Sequence, residues 1–381
     1  MGTRVLRKED PAFLTTGARY TADLDDPRLE GAAHAVFVRS YVAHGRILTV
    51  DAEAARGMPG VVAVVTGADL PEDLVLPGVV PLFPPPMLNR PLLARDRVRF
   101  VGEPVAVVLA ETPAQGADAA EAVIVDIDAL DPVVDLETAA RDEDVILPEV
   151  GTNQCLRFSE LGMATGLSGA EFFAGCEVVV TQRIVHQRVS AAPLEVRSVA
   201  ATWDDGRLVQ FMSSQAPHRV KKALAALYGI DAGDLRIIAP DVGGGFGAKV
   251  APTPEDALIP HLARVAGRPV RWLETRTENL TAGGYGRAHV HHATLGGTRD
   301  GDLTHYRLDV LADAGAYTRI GAFLPFFTLP MAAGTYDIPN IETEARSVLT
   351  NTTPTDAYRG AGRPEATLSI ERMIDLFAAE D

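Results

Sequence analysis

The chain is organised around one glycine-rich run, Asp241-Val242-Gly243-Gly244-Gly245-Phe246-Gly247-Ala248-Lys249. An apolar segment, 235–239, precedes the run, and Pro254-Glu255-Asp256 after it is typical of a helix start. Four glycines within five positions remove the Cβ atoms that would block close approach or a positive φ. They indicate main-chain N–H groups turned towards an acceptor. The alternative is a loop without a ligand, but the large aromatic ring argues against a purely flexible linker.

The two common nucleotide-binding loops fit this run poorly. A P-loop requires Gly-Lys followed by Ser or Thr, whereas Ala248 precedes Lys249 and Val250 follows it. A dinucleotide fingerprint requires Gly-x-Gly-x-x-Gly at the very start of a helix, but here the spacing fails, and Pro252 and Pro254 delay the helix. The run therefore indicates a different kind of ligand.

Composition restricts the class of protein. The 381 residues are 47% hydrophobic and 23% charged, which is typical of a soluble globular protein of about two domains. A net charge of −16 disfavours binding to nucleic acid or to an anionic membrane. Cys155 and Cys176 lack Cys-x-x-Cys spacing and indicate buried thiols in a reducing compartment. Without a signal-peptide pattern or a spanning apolar run, we expect a cytoplasmic location.

The first third of the sequence predicts a small mixed α/β domain, because short apolar strands alternate with short helical patterns. A proline-rich passage, 81–86, cannot join a central strand and is interpreted as an excursion or an interface arm. Acidic and glycine-containing residues around 141–169 indicate a boundary, so we place the domains at 1–140 and 141–381. The predicted strands of the first domain are 33–38, 61–65, 105–109 and 123–127.

The second region predicts longer strands and well-delimited helices. Asp205-Gly206 between two apolar runs, 196–203 and 207–213, indicates a hairpin. Proline near the start and glycine just after the end predict helices at 217–228 and 255–266. The last predicted helix carries the apolar stripe Ile370, Met373, Ile374 and Phe377.

Three separate segments share one character: 213–218, the glycine run, and 350–365. Each follows a predicted strand and precedes a predicted helix, so each offers free N–H groups and the positive end of a helix dipole. If the three converge, they form a cradle for an anionic or oxo-rich ligand. Within the third segment, Arg359 and Arg363 either bind such a ligand or pair with acids such as Asp356 and Glu365.

The histidines 289, 291 and 292 are a weaker candidate. Alternation along a strand puts only His289 and His291 on one face, and no cysteine or carboxylate accompanies them at ligand spacing. We interpret this tract as an exposed strand.

A series of motifs runs along the whole chain, at 7–10, 20–23, 215–218, 243–249, 267–270, 313–317, 350–351 and 358–365. Taken in order, these motifs resemble those of the molybdenum-binding large subunit of the xanthine dehydrogenase and aldehyde oxidase family. The similarity is greatest to the bacterial branch with the aerobic carbon monoxide dehydrogenase large chains. The resemblance implies an α+β (mixed α/β) fold, with an a/b hammerhead-like domain at 1–140 and the first molybdenum-cofactor-binding domain at 141–381.

The resemblance implies a cofactor site in this chain. Gln215 corresponds to a hydrogen-bond donor beside the apical oxo ligand, and Arg359 to an arginine of the active-site loop. The expected cofactor-binding residues are Gln215, Gly244, Gly245, Phe246, Gly247 and Arg359. Molybdenum is expected to be held by a pterin dithiolene, in the cytosine dinucleotide form, without a protein ligand.

The resemblance also implies an oxidoreductase that hydroxylates its substrate with water as the oxygen source. Electrons would leave to 2Fe-2S and FAD on partner subunits. The general-base glutamate belongs to the family's second cofactor-binding half, which lies beyond Asp381, so no catalytic base is expected here. Either a separate subunit supplies that half, or the chain is a truncated product that cannot turn over alone. A non-catalytic scaffold or assembly subunit of such a complex is the competing interpretation.

Three positions bear on the substrate. Gly360 stands where carbon monoxide dehydrogenases carry a copper-binding cysteine, which puts a carbon monoxide dehydrogenase-like activity in doubt. Val250 and, by approximate spacing, Phe327 stand where purine-oxidising members carry a glutamate and an arginine. An aldehyde or an N-heteroaromatic compound is therefore the expected substrate class.

Overall fold

The computed structural model describes residues 2–78, 89–158 and 165–380. The proline-rich passage 81–86 lies outside the described residues. The strands are β1 (Ala33–Arg39), β2 (Gly45–Asp51), β3 (Val61–Thr66), β4 (Val75–Leu76), β5 (Arg90–Pro91), β6 (Arg97–Val98), β7 (Pro104–Ala110), β8 (Ile124–Ala129), β9 (Gln154–Arg157), β10 (Val178–Ser190), β11 (Ser198–Asp204), β12 (Arg207–Met212), β13 (Leu235–Ile238), β14 (Val270–Leu273), β15 (Tyr285–Gly297), β16 (Leu303–Gly315) and β17 (Asn340–Leu349).

The helices alternate with these strands. They are α1 (Asp10–Thr15), α2 (Glu53–Arg56), α3 (Pro113–Glu121), α4 (Leu136–Ala139), α5 (Gly169–Phe172), α6 (Pro217–Tyr228), α7 (Pro254–Ala266), α8 (Arg276–Ala282), α9 (Pro325–Thr328) and α10 (Arg363–Ala378). In the part of the chain that the structure describes, no helix is long and apolar enough to cross a membrane.

A seven-stranded mixed sheet has the order β13-β12-β11-β14-β1-β7-β3. Strands from both sides of residue 140 share it, because β1 pairs in parallel with β14 through Ala33 and Val270. The domain division near residue 140 stays a prediction about the organisation of the chain. At the other end of the sheet, β12 pairs in parallel with β13, so both strands finish at the same sheet edge.

A second sheet has five strands in the order β10-β15-β16-β17-β9. Helix α10 packs on it through Ile370, Met373 and Phe377, which are buried, and Ile374 packs partly buried against the same cluster. These are the residues of the predicted apolar stripe, so the prediction of this helix is confirmed.

Local signals in the sequence account for most element boundaries. Helix α7 begins with a capping box in which Thr253 and Asp256 satisfy each other's backbone N–H groups. Helices α6 and α7 both end at a glycine in the left-handed region, Gly229 and Gly267. The predicted hairpin is present, with Asp204 paired to Arg207 across the turn. The four predicted strands of the first third correspond to β1, β3, β7 and β8.

Candidate functional site

The three strand-to-helix segments meet in space. The carbonyl oxygen Oε1 of Gln215 accepts hydrogen bonds from the backbone N–H groups of Gly247 at 2.9 Å and Lys249 at 3.3 Å. The backbone N–H of Arg359 donates to the carbonyl oxygen of Phe246 at 2.8 Å. Gln215 follows β12 and the glycine run follows β13, so the parallel pairing of these strands brings the first two segments together. The third comes from the other sheet, after β17.

The orientation of the Gln215 side chain is fixed by this arrangement. Two N–H donors face Oε1, so the amide nitrogen Nε2 is the end that remains available to donate. The backbone N–H of Gln215 also donates to the carbonyl oxygen of Lys249 at 2.9 Å. The exposed amide of Gln215 can therefore donate a hydrogen bond to an acceptor held in front of the loop.

Phe246 projects from the glycine run instead of packing into the core. Its backbone has a φ of 52°, which is uncommon for a residue with a bulky side chain, and 41% of the residue is exposed. The guanidinium carbon of Arg359 lies 5.9 Å from the centroid of the Phe246 ring. The structure thus places an exposed aromatic ring and an exposed cation side by side.

The glycine run also presents main-chain donors. Among the described residues, the backbone N–H groups of Gly244, Gly245 and Phe246 take part in no hydrogen bond, whereas Gly247 donates to Gln215. Successive N–H groups in a glycine loop form a concave anion-binding surface. With the Gln215 amide and the Arg359 guanidinium beside it, this donor set fits an anionic, oxo-rich group.

A buried ion pair supports the run from behind. The Lys249 ammonium donates to the main-chain oxygen and to Oε2 of Glu195, both at 2.8 Å. The same carboxylate oxygen accepts the N–H of Gly243 at 2.8 Å. Burial lowers the pKa of Lys249, and the Glu195 carboxylate opposes that shift. Lys249 therefore has a structural role, holding both ends of the run on the segment before β11.

The acids near Arg359 are occupied by other arginines. Asp356 pairs with Arg319 at 2.8 Å, and Glu365 pairs with Arg287 at 3.2 Å. Arg287 also donates to the main-chain oxygens of Tyr358 and Arg359. Of the two interpretations left open for Arg359, the structure does not contain the ion pair with Asp356 or Glu365, and its guanidinium is exposed beside Phe246.

The interpretation of the histidine tract as an exposed strand is wrong for two of its three members. His289 and His291 are buried, because α10 covers their face of the sheet, whereas His292 is exposed. His291 Nδ1 lies 2.7 Å from Ser369 Oγ and 3.1 Å from His186 Nε2, and His291 Nε2 lies 3.3 Å from His289 Nδ1. Burial lowers the pKa of His186 to about 4 and that of His289 to about 3.

The prediction of two buried thiols holds for Cys155 but not for Cys176. Cys155 is buried and burial raises its pKa, but Cys176 is only half-buried, with its sulfur 3.3 Å from His305 Nδ1. The part of the chain that the structure describes contains no cluster of three or more His, Cys, Asp or Glu side chains that could hold a metal ion.

Several supporting residues could not be found from the sequence. Glu195 lies about 50 positions before the run that it holds, and Arg287 lies on β15, with no motif around either one. A left-handed backbone at Arg287, with φ of 65°, is the feature that turns it towards the Arg359 loop, and only the structure reveals it.

Gly247 is the glycine of the run with the closest main-chain neighbour. Its φ is 107°, and a Cβ there would lie 2.7 Å from the carbonyl oxygen of Ala357. We expect Gly247→Ala to lower the free energy of unfolding by about 2–3 kcal/mol, since strained backbone and overpacking both contribute. In Gly267→Ala, where φ is 63° and no atom lies within 4 Å, only the backbone term of about 1 kcal/mol is expected. If urea denaturation gave the same loss of unfolding free energy for both variants, the close approach of Gly247 to Ala357 would be contradicted.

Comparison with known families agrees with this geometry. Residues 151–380 match the family model for the molybdopterin cofactor-binding domain. Residues 15–131 match the a/b hammerhead domain of aldehyde oxidase and xanthine dehydrogenase. The chain therefore belongs to the molybdenum-binding large subunits of the xanthine dehydrogenase and aldehyde oxidase family, and the predicted fold class is confirmed.

Individual relatives are similar along the whole chain. It is 36% identical to the nicotine 6-hydroxylase large subunit of Paenarthrobacter nicotinovorans, over 99% of this chain and 46% of the relative. It is 34% identical to the carbon monoxide dehydrogenase large chain of Hydrogenophaga pseudoflava, over 99% of this chain and 48% of the relative. The structure of quinoline 2-oxidoreductase from Pseudomonas putida 86 matches with a TM-score of 0.90 at 33% identity, covering 100% of this chain and 48% of that chain. The chain thus spans about half the length of these relatives.

Proposed function

We propose that this chain forms the first half of the catalytic unit of a molybdenum hydroxylase. The observation that carries the proposal is the convergence of Gln215, the glycine run and Arg359 into one surface of hydrogen-bond donors. A molybdenum-pterin cofactor, when bound, supplies two-electron oxidation of a substrate carbon with water as the source of oxygen. This surface has the donors that such an anionic, oxo-rich group needs.

The chain's own residues bind and orient in this proposal. The Gln215 amide donates to an acceptor at the front of the loop, and the N–H groups of Gly244, Gly245 and Phe246 provide further donors. The Arg359 guanidinium adds positive charge beside the Phe246 ring. No residue of this chain is assigned as the general base, which we propose comes from the second half of the cofactor-binding region.

The proposed substrate class is an aldehyde or an N-heteroaromatic compound. Val250 follows the glycine run, and Phe327 lies against the Arg359 loop, since a Cβ on Gly362 would be 2.8 Å from Phe327 Cβ. Apolar side chains at both places favour a flat or apolar reacting ring or chain at these two positions, without charged contacts there. The names of the similar nicotine and quinoline enzymes support the same class.

We further propose partners that complete the electron path. Two cysteines in the whole sequence are too few to bind a 2Fe-2S cluster, which typically takes four. Iron–sulfur and FAD subunits, together with the second half of the cofactor-binding region, would complete the enzyme. The cytosine dinucleotide form of the pterin and a cytoplasmic location are parts of the same proposal.

Two substitutions at Gln215 separate loop support from hydrogen-bond donation. Gln215→Glu keeps an oxygen that accepts from Gly247 and Lys249, but it loses the amide donor. We expect kcat of the assembled complex to fall about tenfold to 100-fold in Gln215→Glu, the cost of one hydrogen bond to a charged group. In Gln215→Ala, kcat should fall at least as far, and the melting temperature should fall as well, because this substitution removes both loop contacts.

A matched control is Gln182→Glu on β10, an exposed position remote from the loop. It should leave both kcat and the melting temperature unchanged. Molybdenum and pterin are measured in the complex purified with its natural partners. Their absence from the intact wild-type complex would overturn the enzyme proposal in favour of a scaffold or assembly subunit.

A further inference from the structure

A basic cleft lies beside the candidate site. Its described lining includes the cations Arg90, Arg219, Lys222 and Arg319, and it contains no aspartate or glutamate. The cleft measures about 410 Å³, within the range of roughly 300–1,000 Å³ that small-molecule sites occupy. An excess of positive charge in one cleft is unexpected in a chain of net charge −16.

The segments that build the site also build this cleft. Arg219 and Lys222 lie on α6, which starts directly after Gln215 and Ala216. Another wall is Pro252, which follows the glycine run. Arg319 joins the same walls, donating to the main-chain oxygen of Pro252 at 3.3 Å and pairing with Asp356 just before the Arg359 loop. The basic cleft is therefore continuous with the three segments that converge at the site.

Arg90 is the most informative cation of the basic cleft. It is 7% exposed, and its Nε has no hydrogen-bond partner among the described residues. Its guanidinium carbon lies 5.2 Å from the ring centroids of both Phe100 and Tyr317, which fix its position. A buried guanidinium with an unsatisfied donor costs free energy unless a ligand completes it.

The nearest carboxylates do not accept a hydrogen bond from Arg90 Nε. Glu255 forms its ion pairs with Arg39 at 2.7 Å and Arg197 at 3.4 Å. Glu103 accepts from the Tyr317 hydroxyl at 2.5 Å and from the backbone N–H of Arg99 at 2.6 Å. Both acids already have hydrogen-bond partners, and their charges lie near Arg90, but neither accepts a hydrogen bond from its Nε.

The remaining lining sets the character of the ligand. Leu76, Ala223 and Ala226 give the cleft a largely apolar wall beside the cations. A ligand that fits both the apolar wall and the cations has a flat or apolar body and an anionic group. We infer that the basic cleft binds the carboxylate of the substrate, so that the enzyme prefers N-heteroaromatic or aromatic acids to their uncharged analogues. This inference rests on the proposed function and extends it to the charge of the substrate.

The test uses acid and amide pairs of the same shape. Nicotinate with nicotinamide, and benzoate with benzamide, are titrated calorimetrically into the complex purified with its partners. Turnover of nicotinate and nicotinamide is measured in parallel. We expect the wild type to favour the acid of each pair. In Arg219→Gln/Lys222→Gln, we expect the acid-to-amide ratio, in both Kd and kcat/KM, to fall about tenfold or more. Lys221→Gln removes one positive charge from the same helix outside the described lining and should leave the ratio unchanged.

The outcomes separate the possible sources of the anion. A wild type that binds acid and amide equally would overturn the inference. If the double variant lost molybdenum and pterin while nicotinate binding stayed the same, the cleft would serve the cofactor's phosphate, which also overturns it. Should the wild type contain no molybdenum, the proposed function fails, and the calorimetric comparison still decides whether the cleft selects acids.

Discussion

Replacing Arg197 by methionine is expected to lower the free energy of unfolding by about 3–5 kcal/mol. Arg197 lies just before β11, with its side chain only 8% exposed, and pairs with Glu274 at 2.5 Å and with Glu255 at 3.4 Å. The Glu274 side chain is 0% exposed and the Glu255 side chain 2%. Removing the guanidinium leaves two buried carboxylates short of a partner, and methionine fills the space without supplying charge.

The pKa of Glu255 indicates how much this pairing matters. Burial alone would raise it, but Arg197, Arg39 and Arg90 together hold it well below its usual range. The stabilisation is therefore present above the ordinary carboxylate pKa and is lost as pH falls through the lower folded-state value. Because Glu255 lies in the first turn of α7, shortly after the glycine run, loss of Arg197 should also loosen the loop that carries Phe246.

Urea denaturation at neutral pH measures the effect of Arg197→Met. Arg207→Met is the matched control, because the Arg207 side chain is 73% exposed and its ion pair with Asp234 is 3.7 Å long; we expect less than about 0.5 kcal/mol there. Adding Glu274→Leu to Arg197→Met should recover part of the loss, since an apolar pair can replace a buried ion pair. A loss below about 1 kcal/mol for the single variant would show that water reaches the pair.

Acid should destabilise the protein through the cluster of His186, His289 and His291. All three pKa values are lowered by burial, to about 4 for His186 and about 3 for His289, against 6.5 in an unfolded chain. Below pH 6.5 the unfolded chain binds protons that the folded protein excludes, so stability is complete above that pH and falls towards pH 4. At pH 5 each histidine should account for about 2 kcal/mol of lost stability.

One substitution isolates this contribution from that of the carboxylates. His289→Gln keeps a polar side chain next to His291 and cannot titrate, so the loss of stability between pH 7.5 and pH 5 should be about 2 kcal/mol smaller than in the wild type. His292→Gln, on the exposed side of the same strand, should leave that loss unchanged. If the loss of stability between pH 7.5 and pH 5 were the same in the wild type and in both variants, the histidine cluster would open to water before it binds protons.

The local elements were predictable because their signals are local. Proline at the first turn and glycine after the last determine α6 and α7, and the i, i+3, i+4, i+7 stripe determines α10. Alternation put His289 and His291 on one face, but burial depends on what covers that face. Helix α10, some 80 residues later in the chain, supplies the cover, and no pattern around the histidines could indicate it.

The candidate site was likewise predictable from the sequence only in part. The sequence by itself determined the glycine run, the two other strand-to-helix segments and the residue types that offer donors, because these follow from backbone freedom and capping. Only the tertiary structure decided that Gln215 accepts from Gly247, that Arg359 lies beside Phe246, and that Glu195 and Arg287 hold these loops. Such contacts join residues 32 to 113 positions apart, and they depend on how segments that follow strands of two different sheets come together, which local sequence does not encode.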